Sequence, residues 1–459
     1  MRTKKLLITA ALVAGMIIPL SSCSSKASNV ITIWVGEESA TFYQSVCDEF
    51  LKENEDFGYG IKVIGSDSGT AGGAMTDDNT KCGDIITIAH DNIGKLIDKN
   101  TILPFVEESL VAQVDADNPQ SFKDVIYYEN DIGDGKGTQK YLYGVPYISQ
   151  ALFLYYNKSK VTEAQAKTFE GLMAAAKTAG PTVKAFAVHG TDGYNYSFNL
   201  LARKADDNST TLRLYQNFKK ANCYAQGDDE VASLKWARRV FNDPNGGLLP
   251  TDSSWSTVVK NGGCLSYING AWRYEEALSA FGGKDNLGIT VLPTYVLNES
   301  DVEGTEIAEG TVMQAGTFAD CKVFCLNSKD ASKYNASQKI IKFLSSKAIQ
   351  LRSFVGCGNV PSYDGCEKDL ENLEGVDASL LSLAKAQIGM NKYSIAQPFI
   401  NGTLNTYYYS KKAPEEYALY ITEGTDTRGA RETLYKMQYL WQKGKAAPEI
   451  PDELPASIE

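Results

Sequence analysis

Side chains able to do chemistry are unevenly supplied in this chain of 459 residues. It holds two histidines, His90 and His189, which leaves little for a histidine-activated nucleophile or a histidine-rich metal site. Its nine cysteines form no paired CxxC knuckles of the zinc-binding kind. Asp131 and Asp134 stand among glycines without EF-hand spacing, so they mark a hairpin insertion and not a calcium loop. Carboxylates and tyrosines are plentiful, with 56 Asp and Glu and 26 Tyr. Two carboxylates flanking a glycosidic bond would make a hydrolase, but no catalytic motif brings such a pair together, and no enzyme and no cofactor are expected. The adjacent Tyr407 and Tyr408 could ligate ferric iron as tyrosinates.

The amino terminus addresses the chain to an exported compartment. Arg2, Lys4 and Lys5 precede an apolar run over residues 6–20 that is broken at Pro19. That is the pattern of an export signal, and it falls short of the roughly 20 apolar residues of a spanning helix. Leu20-Ser21-Ser22-Cys23 resembles the bacterial lipobox, which implies a lipidated Cys23 with residues 24–29 as a tether. Each acyl methylene buried in the membrane contributes about 0.8 kcal/mol. Eight cysteines then remain, an even number for an oxidising compartment. Cys357 and Cys366 could close a short loop, whereas Cys321 and Cys325, on an apparent strand, stand about 13 Å apart and cannot bridge. A net charge of −11 and a pI near 5.0 exclude nucleic acid as a partner.

Any site in this chain must be built on its strands and helices. Val30–Val35 reads as a strand, 40–52 as a helix with Phe42, Val46, Phe50 and Leu51 on one face, and 61–64 as a second strand, which together make a βαβ unit. Residues 84–89 form a buried-type strand ending at His90 and Asp91, with Asn92 placed to cap the helix that follows. Strand ends that lead into helix starts are where α/β sheets bind ligands. The apolar stretches 145–156 and 287–292, the second ended by Pro293, read as crossover strands between two α/β domains. Between them, 212–218 and 231–241 are amphipathic helices and 263–269 is a strand ahead of Trp272. The tail over 380–441 is largely helical, with a loop at Pro398 and Gly402 before Tyr407, Tyr408 and Tyr409. No internal repeat is visible.

The run Asp84-Ile85-Ile86-Thr87-Ile88-Ala89-His90-Asp91 resembles the second-strand motif of maltose and maltodextrin binding proteins, in extracellular solute-binding protein family 1. Four further segments follow in the family's order: Val30–Val35 as opening strand, 143–157 as first hinge strand, Asn269-Gly270-Ala271-Trp272 as aromatic turn, and 287–294 (LGITVLPT) as second hinge strand. The resemblance implies a two-lobed, periplasmic-binding-protein-like fold of type II, each lobe a mixed sheet flanked by helices, joined by hinge strands. Lobe I would comprise 29–152 and 293–345, lobe II 153–292 and 346–459, with 1–28 as signal peptide and tether. It further implies a sugar held in the interlobe cleft and lobes that close on it, in a monomeric subunit at the outer face of the cytoplasmic membrane. That subunit would hand the sugar to the transmembrane permease of an ABC importer.

Carried over residue by residue, Asp91 and Glu37 or Glu38 would accept hydrogen bonds from sugar hydroxyls, and Gln150 would stand where maltodextrin binders have a carboxylate. Trp272 would stack on a sugar ring, as would Tyr407 or Tyr408, while Tyr194 and Tyr196 would touch its edge. Two departures argue against maltose itself: Ile88 replaces a tryptophan of the maltodextrin binders and Asn92 an arginine. Plainer readings stand beside these. Trp272 could be core, Asp91 a helix cap, and Glu37 and Glu38 a solvated turn. His90 reads as a hydrogen-bonded strand end, and of the three consecutive tyrosines at most two can share a surface if extended. Ferric iron or a polyamine remains the alternative ligand, and a secreted hydrolase or an adhesive lipoprotein the alternative function.

Overall fold

A computed structural model describes residues 29–190, 193–207, 221–250, 254–397, 412–422, 429–447 and 449–458. The leader with Cys23, the helix expected at 212–218, and Tyr407, Tyr408 and Tyr409 lie outside the described residues. The chain divides into two compact units, the first running to Ile148 and adding Cys321–Asp364, the second made of Ser149–Asp320 and the residues from Gly365 onward.

In the first unit, alternation in Val30–Val35 buries Ile31, Ile33 and Val35 and leaves Val30, Thr32 and Trp34 half-buried. This strand lies parallel between Gly60–Gly65 and Ile85–Ala89, with Ile33 opposite both Val63 and Ile85. Ile85–Ala89 is buried as far as Ile88, as a strand covered on both faces requires. Its other neighbour is antiparallel, the long strand Thr317–Asn327, whose Lys322 faces Ala89 and whose Leu326 faces Ile85. The helix Ala40–Glu53 covers this sheet with Tyr43, Val46, Cys47 and Phe50, one stripe at i, i+3, i+4 and i+7. Phe42 and Leu51, expected on that face, are only half-buried. The stripe rotates toward Tyr43 because its ring meets Tyr147 and Phe324 edge-on at 6.0 and 6.1 Å, while its hydroxyl lies 3.3 Å from Ser353 Oγ.

The amino end of the sheet is pinned by Asp84. This buried carboxylate accepts from the Thr32 amide at 2.7 Å, the Thr32 hydroxyl at 2.8 Å and Lys333 Nζ at 3.1 Å, and pairs with Lys329 at 3.4 Å. Burial alone would raise its pKa, but these donors and cations together hold it below the ordinary Asp value.

The second unit carries a five-stranded mixed sheet in the order Gly247–Leu248, Phe186–Val188, Ser266–Asn269, Phe153–Asn157, Leu287–Thr290. The first three strands run parallel and the last two join antiparallel. Stacked rings fill the core: Trp255 on Tyr267 at 3.8 Å, Trp236 on Tyr295 at 3.9 Å and Tyr196 on Tyr417 at 4.4 Å. The apolar stretch at 145–156 is two strands, Val145–Ala151 and Phe153–Asn157, separated at Leu152.

Leu287–Thr290, expected as a crossover, lies wholly within the second unit. Its Gly288 faces Tyr156, whose ring fills the space a Cβ would take, so the two strands are locked together. The chain instead passes between units at Ile148/Ser149, at Asp320/Cys321 inside the long strand, and at Asp364/Gly365. Residues 293–320 therefore group with the second unit and 346–364 with the first, the reverse of the division expected from sequence. Local bonds explain both shifts. Thr294–Val296 and Val312–Gln314 form a small sheet with Arg203–Lys204. The helix Lys347–Cys357 packs on Ala40–Glu53, with Arg352 bidentate to Glu49 at 2.8 and 2.9 Å.

None of the eight described cysteines is in a disulfide among the described residues, Cys357 and Cys366 included. Seven are buried, and burial pushes the Cys47 and Cys264 thiols up to about 12, away from thiolate chemistry. Among the described residues no helix is long and apolar enough to cross a membrane.

Candidate functional site

The three parallel strands of the first unit end together on turns. Val30–Val35 runs into the turn Glu37–Ser39, Gly60–Gly65 into the helix Ser68–Asp78, and Ile85–Ala89 into the turn His90–Asn92. Such a carboxyl edge is where an α/β sheet takes its ligand. Glu37 and Glu38 are exposed there. The turn rests on Gly65, where a Cβ would come within 3.1 Å of Glu37 Cα, and the Glu38 carboxylate folds back over Gly36, where a Cβ would meet it at 2.4 Å.

Asp91 is half-buried beside them. Asn92 Nδ2 donates to Asp91 Oδ1 at 2.9 Å and to the Ala89 carbonyl at 3.2 Å, and its own Oδ1 sits against Gly72 with no space for a Cβ between. Asn92 thus makes no side-chain cap bond to the helix Ile93–Asp98, contrary to expectation: with Nδ2 turned to the strand end, the Oδ1 that would accept from the helix amides lies against Gly72. The charge of Asp91 is felt by its neighbours: burial lowers the Lys95 pKa while Asp91 opposes the fall, and burial together with Asp91 pushes the Tyr128 hydroxyl far up. His90 is fully buried with Nδ1 accepting from the Cys321 amide at 3.3 Å, a structural strand-end histidine. Ile88 is core, facing Val323. Among its described residues the first unit presents no exposed aromatic ring.

The second unit differs at the equivalent edge. Ser266–Asn269 ends at Gly270, and the turn Ala271–Arg273 leads into the helix Tyr274–Phe281. On that turn Trp272 is 42% exposed, the one exposed aromatic among the described residues, so the core reading of this tryptophan fails. Its indole lies over Gly270 and meets Tyr194 edge-on at 6.0 Å. Tyr194 in turn donates its hydroxyl to the Phe318 carbonyl at 3.2 Å. Tyr196 is a correction: it is fully buried and stacked on Tyr417, so its ring belongs to the core. Gln150 lies in the strand Val145–Ala151, 7% exposed, and among the described residues its side-chain amide has no hydrogen-bond partner.

The family described as bacterial extracellular solute-binding protein matches residues 45–375. The chain belongs to this family. Of curated relatives, this solute-binding protein is 26% identical over 291 residues to a maltooligosaccharide ABC transporter solute-binding lipoprotein of Streptococcus pneumoniae R6. That match spans 60% of the chain and 62% of the relative's length. Among solved structures, a maltodextrin-binding protein from L. casei BL23 aligns with a TM-score of 0.68 at 19% identity, over 90% of this chain and 99% of that one. A Thermus thermophilus maltotriose-binding protein aligns at 0.64 and 16% identity, over 90% and 99%. These likenesses show the fold: α/β, two-lobed, with sheets flanked by helices.

The solute-binding protein therefore offers two kinds of surface. One unit presents carboxylates on turns, the other an exposed aromatic ring. Two residues bind the turn beneath Trp272: Asn269, which opens the aromatic-turn motif, and Tyr155, which lies outside it. Tyr155 reads as ordinary core in an apolar strand, and only its partner, the Gly270 carbonyl at 2.9 Å, reveals another task.

Proposed function

We propose that this protein is the lipid-anchored solute-binding subunit of an ABC importer and that it captures a carbohydrate, an oligosaccharide of the maltodextrin type. The observation that carries the reading is the exposed indole of Trp272 at the carboxyl edge of its sheet. An exposed tryptophan face costs free energy in water and is stabilised when a flat apolar ring covers it. Trp272 stacks on one sugar ring and Tyr194 holds its edge. Asp91 and Glu37, with Glu38 beside it, accept sugar hydroxyls through charge-assisted bonds. Gln150 both donates and accepts, and Tyr407 or Tyr408 supplies a second platform. Kinship with a maltooligosaccharide-binding lipoprotein supports the ligand class.

The two units act as lobes that close on the sugar, and the ligand's preference for the closed form drives closure. Cys23 carries the lipid that holds the protein at the outer face of the membrane, as a monomer, where it delivers the sugar to the permease. It returns the ligand chemically unchanged.

Thermal unfolding of the purified protein against maltose, maltotriose and longer maltodextrins, with ferric iron and spermidine as controls, tests this. A ligand at 100 times its dissociation constant adds about 2.7 kcal/mol of stability. A raised midpoint with an oligosaccharide that is recovered intact supports the reading. A rise with iron or spermidine alone replaces the ligand class, and recovery of shortened oligosaccharide makes the protein a hydrolase.

A further inference from the structure

We infer that Gly270 is a positioning residue, a side-chain-free seat that holds the Trp272 indole flat and leaves it one usable face. A Cβ built on Gly270 would lie 2.0 Å from Cζ3, 2.2 Å from Cη2 and 2.5 Å from Cε3 of that indole, and these are its three nearest atoms. The ring therefore rests directly on the peptide of Gly270. The glycine is not there for backbone freedom: its φ of −101° and ψ of −177° suit any residue. Its single special property in this place is the missing side chain.

The seat is itself held at both polar ends. The Gly270 amide donates to Asn269 Oδ1 at 2.9 Å, and its carbonyl accepts from the buried Tyr155 hydroxyl at 2.9 Å and from the Arg273 amide at 3.1 Å. Asn269 is oriented in turn by Nδ2 donating to Tyr267 at 2.7 Å. With one face on this peptide and one edge against Tyr194, the indole can stack on a single ligand ring, and its orientation is fixed before the ligand arrives. The ligand consequence rests on the sugar-binding reading; the seating of the indole does not.

The test compares Gly270→Ala, Trp272→Ala and the double variant in the full-length chain, with Tyr155→Phe as a milder release of the seat. Three of the five tryptophans, Trp236, Trp255 and Trp441, are fully buried, and the half-buried Trp34 belongs to the other unit, so the change in acrylamide quenching between the unaltered protein and each variant reports on Trp272 with no ligand present, with Trp272→Ala giving the background. Gly270→Ala is expected to raise quenching and to weaken maltotriose binding about tenfold, with Tyr155→Phe changing both in the same direction by less. In the Trp272→Ala background, Gly270→Ala is expected to change neither affinity nor unfolding midpoint, since the atoms it would strike are gone. Unchanged quenching in Gly270→Ala overturns the seat, as does an equal loss of midpoint with and without Trp272, which would make the glycine a requirement of the fold. Raised quenching with unchanged maltotriose affinity overturns its role in positioning. If the unaltered protein binds no maltotriose, the sugar reading fails, and quenching and the midpoints still decide whether Gly270 seats the indole.

Discussion

The two units share a plan, parallel strands ending together on turns, and use it for opposite surfaces. The first unit ends its strands in Glu37, Glu38 and Asp91, with Ile88 buried where an aromatic could have stood. The second ends Ser266–Asn269 in a glycine that carries an exposed indole. Affinity and orientation divide between the two surfaces. A carboxylate half in water exchanges one set of hydrogen bonds for another, so its net gain is small, and it chiefly fixes where hydroxyls go. An exposed indole face gains nearly its whole covered area. The largest expected effect is therefore in the second unit: Trp272→Ala should weaken oligosaccharide binding by about 2 kcal/mol, roughly thirtyfold. Its unfolding midpoint should move little, because the ring stands on a surface turn, 42% exposed, and its loss opens no cavity in the core. Titration calorimetry that finds wild-type affinity in this variant would show that the two surfaces do not divide the work in this way.

Inside the first unit one strand carries an aspartate at each end. Asp84 precedes Ile85–Ala89, buried against Thr32, Lys329 and Lys333, and Asp91 follows it, half-exposed. Asp84→Asn leaves two cations without their anion and should cost about 2 kcal/mol of stability, with ligand affinity unchanged. The acid limb of stability should report the same group. Asp84 is held below its ordinary value in the folded protein, so the unfolded chain takes up its proton first as pH falls. The stabilisation is complete above about pH 5, declines as pH falls through the unfolded value near 3.9, and is gone below the folded value. Asp84→Asn should therefore flatten stability against pH in that window. A variant that keeps the full acid dependence would show that other carboxylates carry it.

What sequence could and could not reveal follows from the range of the forces involved. Val30–Val35 was legible to the residue, because alternation and β-branching are local and the strand's burial obeys them. The helix read at 231–241 begins at Asp228, since Asp228, Asp229 and Glu230 are polar enough to look like loop yet favour a helix amino terminus. The second crossing was not legible: Leu287–Thr290 and Thr317–Asn327 are both apolar, and only their partners, Phe153–Asn157 for one and Ile85–Ala89 for the other, tell an edge strand from one that passes between units. The turn that carries Trp272 could be read from the run Asn269-Gly270-Ala271-Trp272. Tyr194 and Tyr196 could not be separated, because in a turn a spacing of two does not set which ring faces inward. Tyr196 found Tyr417, more than 200 residues away, and joined the core.

The smallest expected effect is the one that best separates a ligand contact from a structural strand end. Asp91→Asn keeps the size of the side chain and an oxygen able to accept from Asn92 Nδ2, so the local bond at 2.9 Å can persist while the charge is removed. If Asp91 reads sugar hydroxyls, losing the charge-assisted part of one or two bonds should weaken binding by about 1 kcal/mol, roughly fivefold, with the unfolding midpoint within a degree or two. If Asp91 serves only the turn His90–Asn92, affinity should stay at the wild-type value and any loss should appear in the midpoint alone. Combining it with Trp272→Ala adds a second reading. The two residues belong to different units, so their binding losses should add to within about 0.5 kcal/mol. Strong coupling would mean that the stacked ring sets the hydroxyl geometry that Asp91 reads, and acceptor and platform would then have to be treated as one element of recognition.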